Sequence, residues 1–337
     1  MSRLTRRLAC LLFIGALSSA AWSAPRPGGP LGADPLPSWD DGPPKQAILD
    51  FVARTTRPGS PDLLAPEARV AVFDNDGALW SEQPLYNQFV FVLARAAEMA
   101  RDDPSLLQRP AFAAAASGDP ARIGALGDKD LAELLVATQA GLTPEAYAAM
   151  VKTWLAGARH GRFMQPYTAL VYQPQLELLA YLRKAGFRTY IVSGGEVQFM
   201  RVFAQAVYGV PPEQVIGTSL KTRFEFKDGK PVITFLPELD SLDDGPGKPL
   251  NILLHIGRIP AIAVGNSDGD LEMLRYSASA PGRSLQILIH HDDSGREYAY
   301  DRQASIGRLD KALDEAEGRG WVVVSMRQDW RTVFPAR

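Results

Sequence analysis

Apolar residues fall along this chain in two textures. Short continuous runs at 68–73, 188–192, 259–264, 284–290 and 321–326 stop abruptly at polar or glycine residues, and predict buried strands. Between them, 46–54, 174–185, 197–208, 249–257 and 306–317 carry helical spacing, with Gly186 closing the second. The stretch 223–235 reads as a hairpin turning at Asp228-Gly229. From Glu82 to about Tyr167 the texture is Ala- and Leu-rich, with helices expected near 85–101, 129–140 and 144–158 and no strand. Strands alternating with helices imply an α/β fold: a mostly parallel sheet with helices on both faces, and ligands at the carboxyl ends of the strands. The helical block then reads as a cap inserted after the first core strand, lying above that edge.

The N-terminus changes the picture. Arg3, Arg6 and Arg7 lead into the apolar run 8–17 and then a small-residue stretch ending at Ala24, the pattern of a secretory signal, with cleavage expected after Ala21 or Ser23. This predicts a signal peptide over 1–23 and a Pro/Gly-rich leader over 24–44. The start of the core follows over 45–81, the cap over 82–167, and the rest of the core with a C-terminal extension over 168–337. The apolar run is too short to span a bilayer, so an exported, periplasmic or secreted protein without a membrane anchor is expected. Cys10 is the only cysteine, so the mature chain needs no disulfide and has no thiol chemistry. A net charge of -2 over 337 residues offers no basic field for nucleic acid or anionic membrane, which points to a small-molecule partner.

Candidate chemistry sits where the strands end. Asp74 and Asp76 follow the first strand, with Gly77 letting the chain turn away; one carboxylate can attack while the other trades a proton. Alone, such a pair is equally a solvated turn or a helix cap. Ser193, with Gly194 and Gly195, ends the second strand and offers a hydroxyl and close-approaching N–H groups to phosphoryl oxygens, or is a common turn. Lys248, near a helix start, can neutralise phosphate or simply be solvated. Asn266, Asp268 and Asp270 form an oxygen-rich loop suited to Mg²⁺, with a plain helix cap as the alternative.

In this order, strand-Asp-x-Asp, strand-Ser-Gly, Lys and strand-Gly-Asn-Ser-x-Gly-Asp, the motifs resemble those of the haloacid dehalogenase (HAD) superfamily and its phosphoserine-phosphatase-like branch, over roughly 68–290. The resemblance implies a Rossmann-like core, a phosphatase using Mg²⁺, Asp74 as nucleophile and Asp76 as general acid/base. It also implies Ser193, Gly194 and Lys248 as phosphoryl-binding residues, and Asp74, Asp76, Asn266, Asp270 and Asp268 as the metal set. Glu82, at the join of core and cap, is expected to touch the substrate, a small phosphate ester. Two departures stand out: Asn266 occupies a position where the family usually has Asp, and Ala78 one where it generally has Thr.

Phosphotransfer to another acceptor, as in a phosphomutase, remains open within this fold, as does a catalytically weak protein that binds phosphate esters. Dehalogenation is disfavoured, because it needs neither Asp76 nor the oxygen-rich loop. The run His290-His291-Asp292-Asp293 reads as a rim loop rather than a second metal site, and Arg159, His160 and Arg162 as a solvated helix end. Trp321, Trp330 and Phe334 read as core or docking residues.

Overall fold

The computed structural model describes residues 34–336, so the expected signal segment and residues 24–33 of the leader lie outside the described residues. Eight strands form one sheet: β1 (Val70–Phe73), β2 (Arg188–Glu196), β3 (Val215–Lys227), β4 (Lys230–Ser241), β5 (Ile262–Gly265), β6 (Leu285–Asp292), β7 (Ala299–Tyr300) and β8 (Val322–Ser325). Their order is β4-β3-β2-β1-β5-β6-β7, with β8 also paired to β6. All pairings are parallel except β3 with β4 and β6 with β7.

The central strand shows why the sheet is covered on both sides. β1 is Val-Ala-Val-Phe, and all of it is buried. Because successive side chains point to opposite faces, Val70 and Val72 join one core with Val192, Ile216 and Leu288, while Ala71 and Phe73 join another with Ile191, Val264 and Ile287. Helices Pro43–Thr56 and Gln173–Lys184 feed the Phe73 side through Ile48, Phe51, Leu178 and Leu182; Gly247–Ile256, Leu271–Ala278 and Lys311–Arg319 feed the other through Ile252, Leu274 and Ala312. This is the mostly parallel, doubly covered sheet that the alternation of strands and helices predicts.

After β1 comes the all-helical insertion, built from Asn87–Asp102, Pro110–Ser117, Pro120–Gly124, Asp128–Ala137 and Pro144–Gly157. It docks on the β3–β4 hairpin: Gly141 N–H donates to the Phe235 carbonyl and Phe235 N–H to the Leu142 carbonyl, both at 2.9 Å. The hairpin is much longer than the expected 223–235. Its turn is at Asp228 (φ 51°) and Gly229 (φ 74°), the left-handed pair of a two-residue connection. The extension went unread because β3 changes character midway, starting as a buried parallel strand on β2 and ending as an exposed ribbon.

Other differences are local. The expected helix 197–208 is two pieces, Val197–Arg201 and Ala204–Tyr208, and the helix expected from Ile306 begins only at Lys311. Packing starts ahead of Lys45: Leu36 and Trp39 are fully buried, and Trp39 forms an antiparallel bridge with Trp330 near the other end of the described chain. No described helix is long and apolar enough to cross a membrane.

Candidate active site

The loop after β1 is built by backbone hydrogen bonds that leave little freedom. Asp74 N–H continues the ladder to the Val264 carbonyl (2.9 Å). The Asn75 carbonyl accepts from Leu79 N–H (2.8 Å), and Gly77 N–H donates to the Trp80 carbonyl (2.9 Å). Gly77 sits at φ +75°, and a Cβ there would overlap the Asn266 amide and the Glu82 carboxylate, so glycine is required twice over. Asp76 is held by Trp80, whose indole Nε1–H donates to Oδ1 at 2.8 Å. That indole is fully buried and stacked on Phe203, with ring centroids 4.6 Å apart.

Three distant segments meet at Lys248. Its Nζ donates to Asp74 Oδ1 (2.9 Å), Asp270 Oδ1 (2.6 Å) and the Val192 carbonyl (3.1 Å), so three N–H donors find three buried acceptors. Burial alone lowers the Lys248 pKa, but the carboxylates of Asp270, Asp74 and Asp243 more than reverse it and hold it above its ordinary value. One ammonium cannot balance two carboxylates. Burial, followed by the Asp270 charge, pushes Asp74 up to about 8 against the pull of Lys248. Burial also raises Asp76, opposed first by the Trp80 hydrogen bond.

The end of β2 supplies the adjoining wall. Ser193 is buried, its Oγ accepts from Gly195 N–H (3.2 Å), and a Cβ on Gly195 would lie 3.5 Å from both Ser193 Oγ and Asp76 Oδ2. Bare backbone therefore approaches the acid/base candidate. Gly194 faces Asp244, 3.7 Å from where its own Cβ would be. Glu196 caps the next helix through Phe199 N–H (2.8 Å), and its own N–H donates to Gln88 Oε1 on the first cap helix (2.8 Å). Burial pushes Glu196 up to about 7. Glu196 Oε1 is buried without a hydrogen-bond partner, which leaves polar capacity at the seam between cap and core.

The loop after β5 divides its acids. Asp270 Oδ2 accepts from Asn266 N–H (2.9 Å) and Ser267 N–H (3.1 Å) while Oδ1 holds Lys248, so this carboxylate organises the loop. Asp268 is placed elsewhere: its Oδ1 accepts from the N–H groups of Asp310 (3.0 Å) and Ala312 (2.9 Å), at the start of the helix Lys311–Arg319. Asn266 Nδ2 donates to Glu82 Oε1 (2.8 Å), and Asn266 Oδ1 is buried with no partner. Among the described residues no group of three or more His, Cys, Asp or Glu side chains surrounds one point. The set that fits a hard cation is thus Asp74, Asp76 and the orphaned amide oxygen of Asn266, with phosphate and water completing the shell.

Several residues outside these motifs are drawn in. His291 is interior, not at a rim: Nε2–H donates to the Gly77 carbonyl (2.8 Å), Nδ1 lies 3.2 Å from Glu297, and Ser81 Oγ–H donates to the other Glu297 oxygen (2.7 Å). The neighbouring acids also have partners, Asp292 accepting from Arg327 N–H (2.8 Å) and Asp293 from Arg296. Of the expected solvated cluster, His160 is buried with its Nε2 2.8 Å from the Gln83 carbonyl, and Arg162 donates to the carbonyls of Glu297 (2.5 Å) and Ser294 (2.8 Å). These contacts tie the end of the cap to the C-terminal segment. Trp80, Gln88, Glu196, His291, Glu297 and Tyr300 escaped the motif reading. Only the spacing of Trp80, four residues after Asp76, held a local signal.

The chain belongs to the haloacid dehalogenase-like hydrolase family, whose pattern matches residues 71–275. Among solved structures it is similar to a conserved, functionally unknown protein from Anaerococcus prevotii DSM 20548, at 14% identity over 82% of this chain and 88% of that one, TM-score 0.50. A protein with unknown function from Bordetella pertussis Tohama I is 19% identical over 76% of this chain and 97% of that one, TM-score 0.45. A phosphoserine phosphohydrolase-like protein from Francisella tularensis subsp. tularensis SCHU S4 is 17% identical over 74% and 98%, TM-score 0.39. The Anaerococcus likeness speaks to fold alone. A search of curated proteins finds no match.

Proposed function

We propose that this chain is an exported, Mg²⁺-dependent phosphomonoesterase of the phosphoserine-phosphatase-like branch, acting on a small phosphate ester through a phosphoaspartate at Asp74. The observation that carries the reading is Lys248 bridging Asp74 and Asp270, beside Ser193 and Asp76. Export rests on the basic start and apolar run of the first 24 residues.

The Asp74 carboxylate attacks phosphorus in line, forming an O–P bond as the ester P–O bond breaks. Asp76, whose pKa burial raises, gives a proton to the departing alkoxide. Now ionised, Asp76 takes a proton from water, which attacks the phosphoaspartate and frees Asp74 and inorganic phosphate. Lys248 Nζ, Ser193 Oγ and the Gly194 N–H stabilise charge on the moving phosphoryl group. Asp74, Asp76 and Asn266 would hold Mg²⁺, whose charge would favour the ionised form of Asp74 and offset that of the phosphate oxygens.

Mature protein is expected to release phosphate from p-nitrophenyl phosphate with added Mg²⁺ and to stop on chelation. Asp74→Asn is expected to remove turnover. Equal release by Asp74→Asn, or no release by the native chain under any divalent cation, sinks the catalytic reading. Export is tested separately by N-terminal sequencing of protein from the periplasmic fraction, which is expected to begin after Ala21 or Ser23.

A further inference from the structure

We propose that the outward face of the helix Gly247–Ile256 is a dimer interface, on which a second copy of this chain packs its own Gly247–Ile256 helix antiparallel across a two-fold axis near Leu253.

Inward, this helix is committed to the core, where Lys248, Asn251 and Ile252 are buried. Outward it is apolar. Leu250, Leu253 and Leu254 are 67%, 59% and 75% exposed, and their i, i+3, i+4 spacing makes them neighbours on one face. Leu242 is 62% exposed, and its carbonyl lies against the helix start at Gly247. Four leucines so exposed present on the order of 500 Å² of apolar surface, the scale at which a patch on a soluble chain marks an interaction site. Two such patches face to face remove on the order of 1,000 Å² before any polar rim is counted, close to the roughly 1,200 Å² at which stable specific interfaces begin. The face is also matched to itself. A two-fold axis near Leu253 sets Leu250 of one copy against Leu254 of the other and carries the start of one helix to the end of its partner. Asp244, exposed, lies ahead of the helix start, and Arg258, exposed, lies beyond its end, so opposite charges meet at both ends of the pair. Antiparallel helix dipoles act in the same sense. Other covers fit less well. Residues 24–33 carry one large aliphatic side chain, Leu31, too little for four leucines. Residues 242–258 offer one exposed Lys or Arg, Arg258, which is a poor lure for anionic headgroups.

The test is sedimentation equilibrium of the mature protein from roughly 1 to 100 μM. The native chain is expected to dimerise in that range. Leu253→Asp, which places two like charges at the axis, is expected to weaken the dimer Kd about 10-fold or more. Because Leu253 faces outward, this variant is expected to keep the native far-UV circular dichroism. Cys10 is the chain's single cysteine, so mature protein carrying Leu253→Cys has one thiol. Under mild oxidation it is expected to form an intermolecular disulfide about 10-fold or more faster than Phe224→Cys, whose thiol sits at a similarly exposed apolar position on the β3–β4 hairpin. A native chain that stays monomeric up to roughly 100 μM overturns the proposal, and sedimentation of that monomer with phosphatidylglycerol vesicles would give the face to a lipid surface instead. A dimer that Leu253→Asp leaves unaffected places the contact elsewhere and overturns it as well. If Leu253→Asp does not fold, a Leu253→Cys that links no faster than Phe224→Cys overturns it.

Discussion

Lys248 is the residue whose loss should cost most. Its ammonium is buried between two carboxylates, so Lys248→Ala leaves Asp74 and Asp270 facing a site with no protein cation between them. Breaking such an arrangement costs about 3–5 kcal/mol, read by denaturant unfolding without metal. The deficit should shrink as pH falls below about 8, the value to which burial already pushes Asp74 with Lys248 in place, because the stranded Asp74 takes up a proton. A second residue-scale expectation concerns Trp80, whose N–H holds Asp76 and lowers its pKa against burial. Trp80→Phe keeps a ring against Phe203 and drops the hydrogen bond. It is expected to raise the Asp76 pKa and move the alkaline limb of the kcat/KM profile to higher pH, because the acid stays protonated further up the scale. An alkaline limb unmoved in this variant would assign it to another group.

At the scale of elements, the start of helix Val197–Arg201 couples structure to pH. Glu196 caps it while buried, with a pKa near 7 in the fold against 4.5 ordinarily. Between those values the folded chain holds a proton that the unfolded chain has released, so this contribution to stability is full below pH 4.5 and is lost as pH rises through 7. The upper bound is about 3 kcal/mol. Glu196→Gln is expected to flatten the fall in Tm between pH 5 and 8 relative to the native chain, and two parallel Tm profiles would refute the assignment.

The same scale shows what the sequence could reveal. β1 and β5 are short, wholly apolar and followed by acids, so the strands and the polar loops that end them are readable from local pattern. Asp268 was misplaced because a carboxylate in an acid-rich loop looks like a ligand until the helix it caps, some forty residues later, is known. Glu297 and His291 carry no local signal, since their partners Ser81 and Gly77 are more than two hundred residues away. The short helices Pro110–Ser117 and Pro120–Gly124 leave no periodic signal, the first because it is Ala-rich with little polar contrast and the second because five residues are too few to show a period.

For the whole molecule, the decisive contact joins the two ends of the described chain. Trp39 and Trp330 are fully buried with ring centroids 6.0 Å apart, Asp40 N–H donates to the Asp329 carbonyl, and Arg331 N–H donates to the Ser38 carbonyl (both 2.8 Å). Trp39 Nε1–H also reaches the Pro174 carbonyl at 3.0 Å. Trp330→Ala is expected to cost about 3–5 kcal/mol in denaturant unfolding and to open residues 35–41 to protease; an arm equally protected in this variant would show that Trp39 is secured by helix Gln173–Lys184 alone. The clasp also orders events during synthesis. A chain leaving the ribosome shows Trp39 long before Trp330 exists, so this latch cannot shut until Trp330 has emerged, and until then Trp39 lacks its ring partner.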